Sequence, residues 1–303
     1  MSVDTPNHRG VDWQDHTIDA GDRQIPIRVF TPLGDDPPDV LVWAHGGSWV
    51  SGSVEEWHGP CALMAALAEV TVVAVDYRLA PMHQHPAALL DVLAALDWAQ
   101  TRFAPLWLAV GGDSAGGTLA AGAAVARREA GTPLAAQVLA YPPLDPTCDS
   151  AAYHAQTCEF PSRNRMLAAW RTYTGGGEPD YGTGHPPSTP WHVPDLTCLP
   201  PAIIAVGSHD PVRDDVAEYA QRLTHAGVPV TLRKFGARGH GLFLNTTPEP
   251  EGPPQFHRWI AAEVRTLTQR QPPREKSSSH ACHRFDQDTG TITAPGRTES
   301  PFR

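Results

Sequence analysis

Short apolar runs at 40–44, 70–75, 106–111, 137–140, 202–206 and 230–235 alternate with stretches whose apolar residues recur at helical spacing, and this alternation most limits how the chain can fold. A run of Val, Ile, Leu and Ala that is too short for a helix and apolar at nearly every position reads as a strand buried on both faces. Such strands are usually parallel and joined by helices. The helical stretches fall at 60–68, 87–101, 115–130, 215–225 (with Gly227 as a carboxyl-terminal stop) and 254–268. A more polar run at 23–30 reads as a strand near the sheet edge. The fold class is therefore α/β, a mostly parallel sheet flanked by helices.

The 303 residues are enough for one domain with a large core that needs no disulfide staples. We expect it to cover 25–269, with 1–24 as an amino-terminal segment available for a partial cap. The stretch 145–201 breaks the rhythm: it is rich in Pro, Gly, Thr and His and holds one helical piece, 163–173. Loops this long in a compact domain are usually lids or binding segments, so a lid-like insertion above the sheet is expected. From 270 to 303 the few apolar residues, among them Phe285, Ile292 and Phe302, cannot offset the entropy of ordering the chain, and a disordered tail is expected.

A formal net charge of −10 argues against a nucleic-acid surface. No apolar run reaches the 18 or so residues of a membrane span, and the polar start lacks the pattern of a signal peptide, so no stable membrane association is expected. The five cysteines, Cys61, Cys148, Cys158, Cys198 and Cys282, are odd in number and form no C-x-x-C pair. Neither a disulfide framework nor a zinc site is suggested, and a reducing cytoplasm follows. A pairing among Cys148, Cys158 and Cys198 is the minority reading. The sequence leaves a homodimer open.

Gly112-Asp113-Ser114-Ala115-Gly116 lies between an apolar run and an Ala-rich helical run. At such a strand-to-helix turn the serine is held in a strained conformation with its hydroxyl exposed above the sheet, and glycines on either side remove Cβ atoms that would collide. Ser114 is the candidate nucleophile. The helix that starts at Ala115 aims its free N–H groups at the same place. Upstream, His45-Gly46-Gly47-Ser48-Trp49 follows the first apolar run, and its glycines let backbone N–H groups approach a substrate. Gly46, Gly47 and Ala115 are the expected donors to an oxyanion, where the loss of one donor costs about 2.7–4 kcal/mol of barrier lowering.

A serine hydroxyl is a weak nucleophile unless a base takes its proton and a carboxylate orients that base. Asp210 follows the run 202–206, and His240, between two glycines, follows the run 230–235. Both stand at the carboxyl ends of expected strands, as Ser114 does. Of the competing carboxylates Asp113, Asp214 and Asp215, Asp113 should turn into supporting hydrogen bonds, and Asp214, one helical turn beyond Asp210, can cap or brace the following helix. His83 and His85, flanked by Pro81 and Pro86, read as an exposed loop, and no metal is expected.

His45-Gly46-Gly47, Tyr77-Arg78-Leu79-Ala80-Pro81, Gly112 to Gly117, Asp210-Pro211-Val212-Arg213-Asp214 and His240-Gly241-Leu242 together resemble the hormone-sensitive-lipase-like family of α/β-hydrolases over about residues 25–265. The resemblance implies the α/β-hydrolase fold, Ser114 as nucleophile, His240 as base, Asp210 as orienting acid, and a small-molecule carboxylic ester as substrate with no cofactor. It also takes in amidases, deacetylases, and cyclases or dehydratases of secondary metabolism, which the triad does not separate from esterases. A non-catalytic binding protein of the family lacks its histidine, whereas His240 is present here. Two departures stand out. Ser48 replaces the third glycine of the family's H-G-G-G, a position expected to support the loop without supplying a main donor. Only 44 residues precede His45, which implies a reduced cap. Trp49, Trp57, Trp170, Trp191 and Phe243 are candidates for pocket walls, with core packing as the competing role.

Overall fold

The computed structural model describes residues 10–34, 39–155, 160–177 and 186–269. The expected tail at 270–303 and part of the expected insertion, 156–159 and 178–185, lie outside the described residues. In chain order the elements that frame the site are β1 (Val11–Asp19), β2 (Gln24–Pro32), β3 (Val40–Ala44), α1 (His58–Ala68), β4 (Thr71–Val75), α2 (Ala87–Phe103), β5 (Leu108–Asp113), α3 (Ala115–Glu129) and β6 (Ala136–Ala140). After these come α4 (Ala151–His154), α5 (Arg163–Thr174), β7 (Ala202–Gly207), α6 (Arg213–His225), β8 (Val230–Phe235) and α7 (Gln255–Gln269).

The eight strands form one sheet in the order β1-β2-β4-β3-β5-β6-β7-β8. β1 pairs antiparallel with β2, and β2 antiparallel with β4, while every pairing from β4 across to β8 is parallel. Every residue of β3, β4, β5, β6 and β7 is buried, which is why these strands read as unbroken apolar runs. Helices cover them, α1 packing against α7 and α2 against α3. Parallel strands joined by helices all deliver their carboxyl ends to one side, and that side collects the loops after β3, β5, β7 and β8.

The chain departs from expectation at its beginning. Val11–Asp19, read as part of a segment available for a cap, is the edge strand β1. Its residues alternate with few apolar ones because it borders solvent, and a half-exposed antiparallel edge leaves little hydrophobic signal. Arg28 on β2 anchors it: the guanidinium lies 4.3 Å from the Trp13 ring and pairs with Asp15 at 2.6 Å.

The cysteines also depart from expectation. Cys61 and Cys148 are free and buried, but Cys198, in the loop before β7, is disulfide-bonded. A bond at Cys198 belongs to the minority reading, a pairing among Cys148, Cys158 and Cys198, of which Cys148 is free; an odd cysteine count with no short-range pair favours the other reading. The disulfide removes the premise of unpaired cysteines from which a reducing compartment was read. Among the described residues no helix is long and apolar enough to cross a membrane.

Candidate active site

β5 runs directly into Ser114, and α3 begins one residue later. Ser114 has φ 51° and ψ −122°, a conformation that costs a non-glycine residue strain, and its N–H donates to the Ala140 carbonyl at 2.8 Å. The turn is tight because α3 must pass close over the end of β3. A Cβ on Gly116 would collide with the Ala44 and His45 carbonyl oxygens, and one on Gly112 would collide with the Gly116 backbone. The pentapeptide glycines are therefore dictated by this crossing.

Asp210 stands in the turn after β7. Its carboxylate is fully buried and accepts the Val212 N–H at 3.0 Å, which fixes it at the start of α6. His240, with a side chain only 6% exposed, follows β8. Its Nδ1 lies 2.9 Å and 3.0 Å from the two Asp210 oxygens, and its Nε2 lies 2.8 Å from Ser114 Oγ. A carboxylate against Nδ1 fixes the proton there, so Nε2 is the acceptor for the serine proton. Tyr141 meets the His240 ring edge-on at 4.8 Å, and its hydroxyl accepts the Phe243 N–H at 2.8 Å, holding the chain just beyond the histidine. Phe160, 56% exposed, lies 6.3 Å from the same His240 ring.

The loop after β3 corrects one expectation. The Gly46 N–H donates to Asp113 Oδ1 at 3.2 Å, so it is turned toward the buried carboxylate and is not a free donor. Among the described residues no acceptor is found for the N–H groups of Gly47, Ser48 and Ala115. Ser48, expected only to support the loop, thus presents a free N–H where Gly46 does not. The chain achieves this with three successive positive φ angles, Gly47 at 109°, Ser48 at 55° and Trp49 at 61°. His45 stabilises the turn from behind: its ring stacks on Tyr77 at 4.2 Å, and Nδ1 lies 2.7 Å from the Gly46 carbonyl. Burial pushes its pKa down to about 4, leaving a neutral ring that donates from Nδ1. The Tyr77 hydroxyl donates to the His45 carbonyl at 2.8 Å.

Asp113 turns into supporting hydrogen bonds, receiving Trp57 Nε1 at 2.8 Å and Trp43 Nε1 at 3.2 Å besides Gly46. Asp214 accepts the Ala152 N–H at 2.8 Å. Asp215 accepts the Asp145 N–H at 3.3 Å and the hydroxyls of Ser150 and Tyr153 at 3.2 Å each, tying the start of the insertion to α6. Burial pushes the Asp215 pKa up to about 7. All three carboxylates hold structure, as read from the sequence for Asp113 and Asp214.

Most of the aromatic candidates pack into the core. Phe243 is fully buried between Trp43, 4.3 Å away, and His257, 5.0 Å away. Trp57 serves Asp113, and Trp191 lies under Arg222. Trp49 joins two parts of the site: its buried ring stacks on Tyr173 of α5 at 4.6 Å and meets Trp170 at 4.4 Å, fastening that helix to the loop after β3. His85 reaches the Tyr173 hydroxyl at 3.0 Å, so it is a strut under α5, while its neighbour His83 is exposed. The sequence reading gave no role of their own to Tyr77, Tyr141 and Phe160, since an isolated aromatic after a strand or in an insertion carries no pattern.

Residues 41–244 match the alpha/beta hydrolase fold family. The chain is 38% identical over 256 residues to carboxylesterase NlhH of Mycobacterium tuberculosis, covering 80% of this chain and 79% of that one. It is 36% identical over 247 residues to carboxylic ester hydrolase LipN of the same organism, covering 78% of this chain and 65% of LipN. An esterase of Pyrobaculum calidifontis superposes with a TM-score of 0.75 at 31% identity over 85% of each chain.

Proposed function

The chain belongs to the alpha/beta hydrolase fold family, among its carboxylic ester hydrolases, and on that premise we propose that it cleaves small, short-acyl esters through an acyl-enzyme on Ser114. His240 Nε2 takes the Ser114 proton as Oγ attacks the ester carbonyl, and Asp210 stabilises the imidazolium that results. The carbonyl oxygen becomes an oxyanion held by the N–H groups of Gly47, Ser48 and Ala115. His240 then returns the proton to the departing alcohol. Water, losing a proton to His240, attacks the acyl-enzyme and releases the acid.

The observation that carries this reading is the single line of contacts from buried Asp210 through His240 to Ser114 Oγ, at 2.9 Å and 2.8 Å. A hydrogen-bonded nucleophile, base and orienting acid, each on a different strand end, is costly to assemble for any purpose but nucleophilic catalysis. The preference for short acyl groups is our reading of two features: α5 is held against the loop after β3 through Trp49 and Tyr173, and the Phe160 ring lies 6.3 Å from that of His240.

Turnover of p-nitrophenyl esters from acetyl to decanoyl by wild type and Ser114→Ala tests the reading. Wild type should favour the short chains, and Ser114→Ala should lose several orders of magnitude in kcat, the corresponding loss being about 10⁶-fold in a studied serine protease. Ester turnover without loss in Ser114→Ala would refute it.

A further inference from the structure

Asp113 precedes the nucleophile in the chain, yet the hydrogen bonds it receives among the described residues come from outside the triad. Three donors from separate places converge on its Oδ1: Trp43 Nε1 from β3, the Gly46 N–H from the loop after β3, and Trp57 Nε1 from just before α1. The group is 1% exposed, and its other oxygen lies 2.7 Å from where a Cβ on Gly46 would stand. A buried carboxylate that accepts charge-assisted hydrogen bonds is a strong and directional anchor. Here it ties the residue beside Ser114 to the residue beside Gly47 and Ser48. This side chain thus links the elbow that carries the serine to the loop that carries the free N–H groups, and the two tryptophans donate to the same oxygen.

We infer that Asp113 is a positioning residue for ester hydrolysis: through the Gly46 N–H it fixes the loop that carries Gly47 and Ser48, so that the oxyanion donors are set in register with the elbow that carries Ser114. The inference rests on the proposed Ser114 acyl-enzyme and adds a residue that touches neither the substrate nor the reacting atoms. It also gives a reason for glycine at 46, where φ is not positive: the carboxylate leaves no room for a Cβ.

The test compares wild type with Asp113→Asn, Asp113→Ala, Gly46→Ala and Ser114→Ala. An asparagine keeps an oxygen to receive the three donors, whereas alanine leaves none, and a methyl group on Gly46 would push the loop off an intact Asp113. Each protein is measured for kcat and KM on p-nitrophenyl acetate. Each is also measured for its affinity for a trifluoromethyl ketone, whose carbonyl carbon bonds to Ser114 Oγ as the serine proton passes to His240 and the ketone oxygen becomes the anion. Asp113→Ala should lose about 100-fold in kcat, the loss that follows removal of an oxyanion donor, with KM changed by less than about threefold and ketone affinity reduced in proportion to kcat. Gly46→Ala should show the same split, and Asp113→Asn should return to within about tenfold of wild type.

Should Asp113→Ala not fold, Gly46→Ala carries the test. Wild-type kcat in either variant, an unchanged ketone affinity beside a lowered kcat, or Asp113→Asn as impaired as Asp113→Ala would overturn the inference. Ser114→Ala separates the two levels: turnover retained there sinks the acyl-enzyme itself, whereas an inactive Ser114→Ala beside a fully active Asp113→Ala sinks only the role of Asp113.

Discussion

Replacing Asp113 with asparagine should change how stability depends on pH, and both the sign and the size follow from where the group sits. Burial pushes the pKa of Asp113 up from 3.8 to about 7 in the folded chain, even though three donors favour its charged form. Between those values the folded protein holds a proton that the unfolded chain has released. Stability therefore falls as pH rises through this window, and the contribution of the neutral acid is fully present only below about 3.8. The shift is about three pKa units at about 1.4 kcal/mol each, which gives an upper bound of about 4 kcal/mol across the window. An asparagine side chain does not titrate, so the Asp113→Asn variant should gain on wild type by up to that amount as pH rises from about 4 to about 8. His45 and Asp215 titrate in the same range but are common to both chains, so they cancel in the difference. Urea unfolding of both proteins across that pH range measures it. Curves that run parallel, with a constant gap at every pH, would refute the reasoning.

Other substitutions separate the parts of the site. Asp210→Asn should keep the fold but lower kcat about 10⁴-fold, because the amide no longer fixes the proton on His240 Nδ1; steady-state kinetics beside a melting curve would show it. Trp49→Ala should cost about 3–5 kcal/mol in denaturant unfolding, since the ring is fully buried against Trp170 and Tyr173. The same change should weaken discrimination between acetyl and longer esters by loosening α5. Gly47→Ala should lower stability by about 1–3 kcal/mol and depress kcat more than KM, because φ is 109° there and a Cβ would collide with the Ser51 carbonyl.

The central sheet and the meeting of Ser114, His240 and Asp210 were legible because each left a local mark. Strands buried on both faces read as apolar runs, and the structure places β3 and β8 at the expected residues, with the others shifted by a residue or two at their ends. Ser114, Asp210 and His240 stand out because each follows such a run, so strand ends that meet in space could be read from the chain one at a time. β1 was not legible, since an exposed antiparallel edge offers no unbroken apolar run. The loop after β3, proposed to hold the oxyanion, was legible in place but not in detail. Gly46 and Gly47 look alike in sequence, and only the position of Asp113, 67 residues further on, decides that Gly46 spends its N–H on a carboxylate. Backbone direction is set by tertiary contacts that spacing does not encode, and for the same reason Ser48 went unread as a donor. The packing of α5 on Trp49 likewise depends on partners distant in sequence.

The claim on which everything else depends is that Ser114 is an activated nucleophile. Titration with a fluorophosphonate, followed by mass spectrometry of the labelled peptide, tests it most directly. The account predicts one label per folded chain, carried on Ser114, with labelling lost in Ser114→Ala and greatly slowed in His240→Ala. A folded wild-type protein that takes no label, or a label that persists in Ser114→Ala, would contradict it.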